Sequence, residues 1–190
     1  MTKWIALIFM FMDHYAFTVQ SSISADTYTL LRMFGRLSFP LFVYFSVLGV
    51  QRTSNIKKYI STMFIFAIIS ELVIRSFPGF ASSQNNVLFG FGLYGLFYMY
   101  ILDEDSKLSS AHKGLLGMLL FYLIYLTNYS YMGFIMFVGL YYVSKFDGYK
   151  GFYASLVIGV SFIPFVLSGI GLSTQMFAMF SGLLMFIPSL

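Results

Sequence analysis

The chain has 190 residues, of which 59% are hydrophobic and 9% charged, with a net charge of +4 and no cysteine. So few charges cannot coat a soluble domain of this size, and the apolar runs are long and repeated, so the composition reads as an integral membrane protein. The missing thiols exclude disulfides, thiolate metal sites and cysteine nucleophiles, and His14 and His112 alone are too few for a multi-histidine metal site, so no metal is expected. The basic residues fall between the apolar runs, which membrane topology explains and which gives no reason to expect nucleic acid.

A bilayer span needs about 20 apolar residues at a rise of about 1.5 Å each. The first candidate covers about residues 4–23. It follows Lys3 as a signal peptide would, but Asp13 and His14 interrupt it and no clear cleavage site follows, so a retained first helix is expected. A second run, about 30–50, carries Arg32 and Arg36, and a third, about 59–77, carries Glu71 and Arg75. The remaining candidates are about 86–102, 114–127, 130–144, 152–170 and 173–190, with a turn at Asn128 separating two short helices rather than one overlong helix. The glycines of "GFGLYG" at 90–95 predict close helix packing, not phosphate binding. His112, in the polar stretch "DEDSKLSSAHK", reads as a solvated surface residue.

The expected fold is therefore all-α: a single polytopic transmembrane bundle over 1–190, of about eight spans with both termini cytoplasmic. This arrangement places Lys3, Arg52, Lys57, Lys58, Lys107, Lys113, Lys145 and Lys150 on the inner side and only Arg75 outside. A seven-span chain would move Lys145 and Lys150 outward and weaken the asymmetry.

Charges inside spans are the strongest local signal. Each ionised group at the bilayer centre costs on the order of 3 kcal/mol, so such groups pair, line a wet cavity or serve chemistry. Asp13, His14, Arg32, Arg36, Glu71 and Arg75 all fall between the midplane and the outer face of this arrangement and are expected to converge. Glu71 and Arg75, four apart, predict an ion pair. Asp13 and His14 are adjacent, so they point about 100° apart around the helix. Asp13 is therefore expected to pair with an arginine of another helix, with Arg36 the natural partner, and His14 to stand either as a general base or as a hydrogen-bonding link between helices. Arg52, Lys57 and Lys58 form a basic loop that either sets topology or holds the phosphates of a ligand.

The runs "KWIALIFMFMDH", "LLRMFGRLSFPLFVYFSVLG" and "KKYISTMFIFAIISE" together resemble the TraX family, known for N-terminal acetylation of F-type conjugative pilin. The resemblance rests on Asp13 and His14; on Arg32, Gly35, Arg36, Leu37, Phe39 and Pro40; on Gly49, Thr53 and Tyr59; on Ser70 and Glu71; and on Asn86 with Phe89. Where the family often has Asp-Tyr-Gly, this chain reads "NYSYMG" with Asn128 in the acidic position, and the family's terminal Tyr-Asn-Gly is replaced by an end at "FIPSL".

The resemblance implies a multi-pass protein of the bacterial cytoplasmic membrane that moves an acetyl group from cytoplasmic acetyl-CoA to an amine. The acceptor it implies is the N-terminus of a small membrane-associated peptide or pilin-like protein. It further implies catalytic roles for His14, Arg36 and Asp13, a supporting polar network of Arg32, Glu71 and Arg75, and contacts to acetyl-CoA from Arg52, Lys57, Lys58 and Asn86. The lipid bilayer and the acceptor are the expected partners. The residues alone leave two other readings open: a small proton-coupled transporter, and an inactive peptide-binding or immunity-type membrane protein.

Overall fold

A computed structural model describes residues 2–76, 86–146, 148–167 and 177–186 of the chain. The described residues are helical, with no extended strand among them. The helices are α1 (Thr2–Thr18), α2 (Ala25–Gly35), α3 (Ser38–Arg52), α4 (Ile56–Ser76), α5 (Val87–Phe97), α6 (Ser110–Tyr125), α7 (Ser130–Lys145), α8 (Lys150–Leu167) and the short α9 (Ser181–Met185). A 3-10 turn, Phe177–Phe180, leads into α9, and α5 loosens into a π turn over Tyr98–Leu102.

Of two expected boundaries, one differs and one holds. The second run is not one helix over 30–50. It starts at Ala25, where the Ser24 hydroxyl accepts from the Thr27 N–H at 3.3 Å, and breaks into α2 and α3 at Arg36–Leu37. Pro40 is the physical reason: it has no N–H to return to the Arg36 carbonyl, and its ring crowds that turn. Ser38 covers part of the gap by donating to the Gly35 carbonyl at 2.7 Å. At the other boundary the turn at Asn128 is present: α6 ends at Tyr125, Tyr129 adopts φ 60° and α7 starts at Ser130. A single helix over 114–144 is thereby ruled out.

Two helical stretches are long and apolar enough to cross a membrane, Ala25–Arg52 and Ile56–Ser76. The 16-residue α6 and α7 measure about 24 Å each, short of the roughly 30 Å hydrocarbon core. Large apolar side chains stand on the surface throughout, among them Trp4, Phe11, Leu72, Leu115 and Met118. Around α4 they are nearly continuous: Ile65, Phe66, Ile68, Ile69, Leu72 and Val73 are all exposed.

The residues group into two compact units, one of Met1–Phe45 with Ile135–Leu190, the other of Ser46–Phe134. In the first, α1 packs on α2, with Phe9 stacked on Phe34 at 6.1 Å, and Ala6 and Ala16 of α1 are fully buried. The Phe177–Phe186 segment lies antiparallel to α8: a methyl group added at Gly159 would lie 2.7 Å from Met179 Cε, and one at Gly182 would strike the Ser155 backbone. In the second unit, α4 packs on α5 at the glycines of "GFGLYG". A methyl group at Gly92 would lie 2.9 Å from the Phe64 ring, and one at Gly95 2.8 Å from Ile60. Close packing is thus their role, as their spacing predicts.

Candidate functional site

Asp13 lies on the face of α1 that packs against α2. Its carboxylate Oδ2 accepts from Arg32 Nη1 at 2.8 Å, with both side chains about four-fifths buried. Gly35 makes the approach possible, because a Cβ there would sit 2.5 Å from Asp13 Cβ and Oδ1. Arg32 and Gly35 are three apart and share a face of α2, so the contact that seats Asp13 on Gly35 also aims Arg32 at it. The partner expected for Asp13 was Arg36; the ion pair is made by Arg32. Arg36 falls one residue beyond Gly35, in the turn that ends α2, and is half-buried there. No described group donates to Asp13 Oδ1, which is buried.

His14 points elsewhere, as its adjacency to Asp13 requires. Its Nδ1 lies 2.8 Å from the Met10 carbonyl, one helical turn back. A carbonyl only accepts, so in this contact Nδ1 carries the proton, and the neutral tautomer that keeps the contact has its lone pair on Nε2. His14 is exposed, and the side chains at three and four residues' distance on the same face are Met10, Phe11, Phe17 and Thr18, three of them apolar. Sequence reasoning missed this carbonyl contact. Its only signal is the spacing of four, which any helical histidine offers.

Glu71, Arg75 and Asn86 belong to the other unit. Glu71 Oε1 accepts from Arg75 Nε at 2.7 Å, the ion pair that the spacing predicts. Glu71 Oε2 accepts from both the backbone N–H and the side-chain amide of Asn86, each at 3.0 Å. The Asn86 amide also donates to the Ala67 carbonyl at 2.8 Å, while its Oδ1 accepts from the Leu88 N–H at 2.9 Å and caps α5. Asn86, expected as a cofactor contact, is buried and has every one of these groups engaged within the protein.

Arg52, Lys57 and Lys58 flank the turn between α3 and α4 and are exposed. Asn55 shapes that turn, its Oδ1 accepting from the Lys58 N–H at 2.9 Å. Gly49 and Tyr59 close it, since a Cβ at Gly49 would lie 2.8 Å from the Tyr59 ring. Among the described residues no three histidines or carboxylates gather as a metal site would require.

These features define a protein that is helical over its described residues, with two helical stretches long and apolar enough to cross a membrane and with carboxylates engaged between consecutive helices. The TraX family model, described as "TraX protein", matches residues 1–189, and the chain belongs to that family. No curated protein and no solved structure matches it. The motif residues, scattered in sequence, meet in space in small groups: Asp13 with Arg32 and Gly35, Gly49 with Tyr59, and Glu71 with Asn86.

Proposed function

We propose that the protein is a multi-pass membrane acetyltransferase, which moves an acetyl group from acetyl-CoA to the amine of a small membrane-held peptide or pilin-like protein. The observation that carries this reading is the state of His14. Its Nδ1–H is committed to the Met10 carbonyl, so Nε2 is left as an accessible base one residue from an Asp13–Arg32 ion pair.

In the reaction, Nε2 takes a proton from the acceptor amine as its nitrogen attacks the thioester carbonyl carbon. The C–N bond forms, and the carbonyl oxygen becomes an oxyanion that a guanidinium can stabilise. Arg36, on the turn beside the Arg32–Asp13 pair, is the residue assigned to it. Collapse breaks the C–S bond, and the proton held on His14 passes to the leaving thiolate. Asp13 holds Arg32 in place and balances its charge. The apolar side chains around His14 suit an acceptor that arrives within the lipid rather than from water. Arg52, Lys57 and Lys58 are candidate contacts for the phosphates of CoA.

Purified protein incubated with labelled acetyl-CoA and small hydrophobic peptides should yield N-acetylated product by mass spectrometry. Absence of both product and CoA binding would refute the enzymatic reading and favour a carrier or a peptide-binding protein.

A further inference from the structure

A groove of about 530 Å³ opens where α8 begins and α9 ends, lined by Gly148, Tyr149, Lys150, Phe152, Leu183 and Phe186. Its volume falls in the range of sites that hold small organic ligands. Three aromatic rings border it, and two of them are left on the surface: Tyr149 is 84% exposed and Phe152 59%. The third, Phe186, is braced from behind by Tyr44, ring centroids 5.1 Å apart. Lys150 brings the positive charge. Its Nζ donates to the Ser144 carbonyl at 3.2 Å, which uses one of the three donors of an ammonium. Gly148, at φ +133°, has open space where a Cβ would stand, so the backbone itself forms part of the lip.

Tyrosine, phenylalanine and lysine at this point are also what a membrane interface recruits as anchors. An anchor needs no concavity, however. Here the far wall is supplied by α9 and Phe186, more than thirty positions along the chain, and held in place by tight packing of Gly182 on Ser155.

The groove also lies at one end of a track. The Phe177–Phe186 segment runs alongside α2 and α3 in the same direction: Phe177 packs edge-on against Phe34 at 5.8 Å, and Phe186 against Tyr44. Phe34 is two residues before Arg36, and Tyr44 is eight residues after it, about 12 Å along a helix. One segment thus connects the groove to the helix turn that carries Arg36, all within one unit. A ligand whose flat, phosphorylated head is separated from its reactive end by a long flexible arm matches that layout.

We propose that this groove seats the adenosine phosphate end of acetyl-CoA, a reading that rests on the acetyltransferase function above. Tyr149 and Phe152 offer faces for the purine, Lys150 contacts a phosphate, and the pantetheine arm follows the Phe177–Phe186 segment toward Arg36.

The test uses the full chain in detergent, with CoA and adenosine 3′,5′-bisphosphate as probes in calorimetry. CoA binds the wild type, the bisphosphate competes with it, and Tyr149→Ala and Lys150→Gln each raise the Kd for CoA at least tenfold. Tyr149 faces outward, so its variant should keep the wild-type elution profile and melting temperature. Unchanged CoA affinity in both variants overturns the assignment while leaving the acetyltransferase reading intact. Loss of affinity confined to Lys57→Ala/Lys58→Ala overturns it too, and returns the phosphates to the basic turn. Phosphatidylglycerol retained by the wild type in native mass spectrometry and lost on Lys150→Gln, with CoA affinity unchanged, assigns the groove to lipid and likewise overturns it. A wild type that binds no CoA at all removes the acetyltransferase reading and this inference together.

Discussion

The α1–α2 and α4–α5 contacts are built from the same parts and differ in what they leave unused. Each sets a carboxylate of one helix against the next. At Asp13, one oxygen pairs with Arg32 while Oδ1 receives nothing from any described group, and the adjacent His14 is exposed with its Nδ1 engaged by the Met10 carbonyl. At Glu71, Oε1 holds Arg75 and Oε2 holds two N–H groups of Asn86, which in turn caps α5. A saturated carboxylate fixes geometry; one with spare capacity beside a base can take part in chemistry. Mutation should therefore separate the two contacts by turnover, which falls with changes at the first and not at the second.

The largest effect is expected at His14. Loss of a general base reduces rates by about 10²- to 10⁴-fold. His14→Ala should lower acetyl transfer by that amount while the melting temperature in detergent stays near that of the wild type, because the ring is exposed and its single bond is local. Unchanged turnover would leave His14 as a surface residue and remove the contrast between the two contacts.

Much of this arrangement was legible in the sequence, for reasons that separate local from non-local information. The Glu71–Arg75 pair and the divergence of Asp13 from His14 follow from helical periodicity alone, which acts within one element. Packing at Gly92 and Gly95 was legible because small residues at helical spacing have few other uses in apolar segments. The partner of Asp13 was not. Periodicity puts Arg32 and Arg36 on the same side of a helix, and only the seating of Asp13 on Gly35, together with the break caused by Pro40, selects Arg32. The bonds made by Asn86 were hidden for a related reason: apart from the cap on its own helix, its partners Ala67 and Glu71 lie 19 and 15 positions away. The groove at Tyr149 joins two distant stretches, and no spacing rule predicts it.

The next effects fall on stability. Glu71→Ala would leave the Asn86 backbone N–H and part of its amide buried without an acceptor, a loss of about 1–3 kcal/mol. Gly35→Ala should cost a similar 1–3 kcal/mol by overpacking, since the new methyl group meets Asp13 at a side chain fixed by Arg32 rather than at a flexible tip. Both are read as lowered melting temperatures. They differ in activity: Gly35→Ala displaces Asp13 and should depress turnover in the folded fraction, whereas Glu71→Ala should leave the folded fraction's turnover unchanged. Equal loss of turnover in both would show that the two contacts act as one functional set.

The smallest effect should come from Arg75. It forms the same 2.7 Å ion pair with Glu71 that an inspection of distances would rank with Arg32–Asp13, yet its side chain is 53% exposed against 19% for Arg32. An exposed pair four residues apart contributes about 0.3–0.5 kcal/mol, because solvent screens the charge and ordering the arginine offsets part of the gain. Removing Arg75 takes the donor from Glu71 Oε1, but Oε2 keeps both Asn86 donors, so the contact between α4 and α5 stays in place. Arg75→Ala should therefore shift melting by no more than about half of the shift for Glu71→Ala. A larger shift would mean that the guanidinium is desolvated by lipid or by another chain, and that the C-terminal end of α4 is more enclosed than the isolated protein makes it.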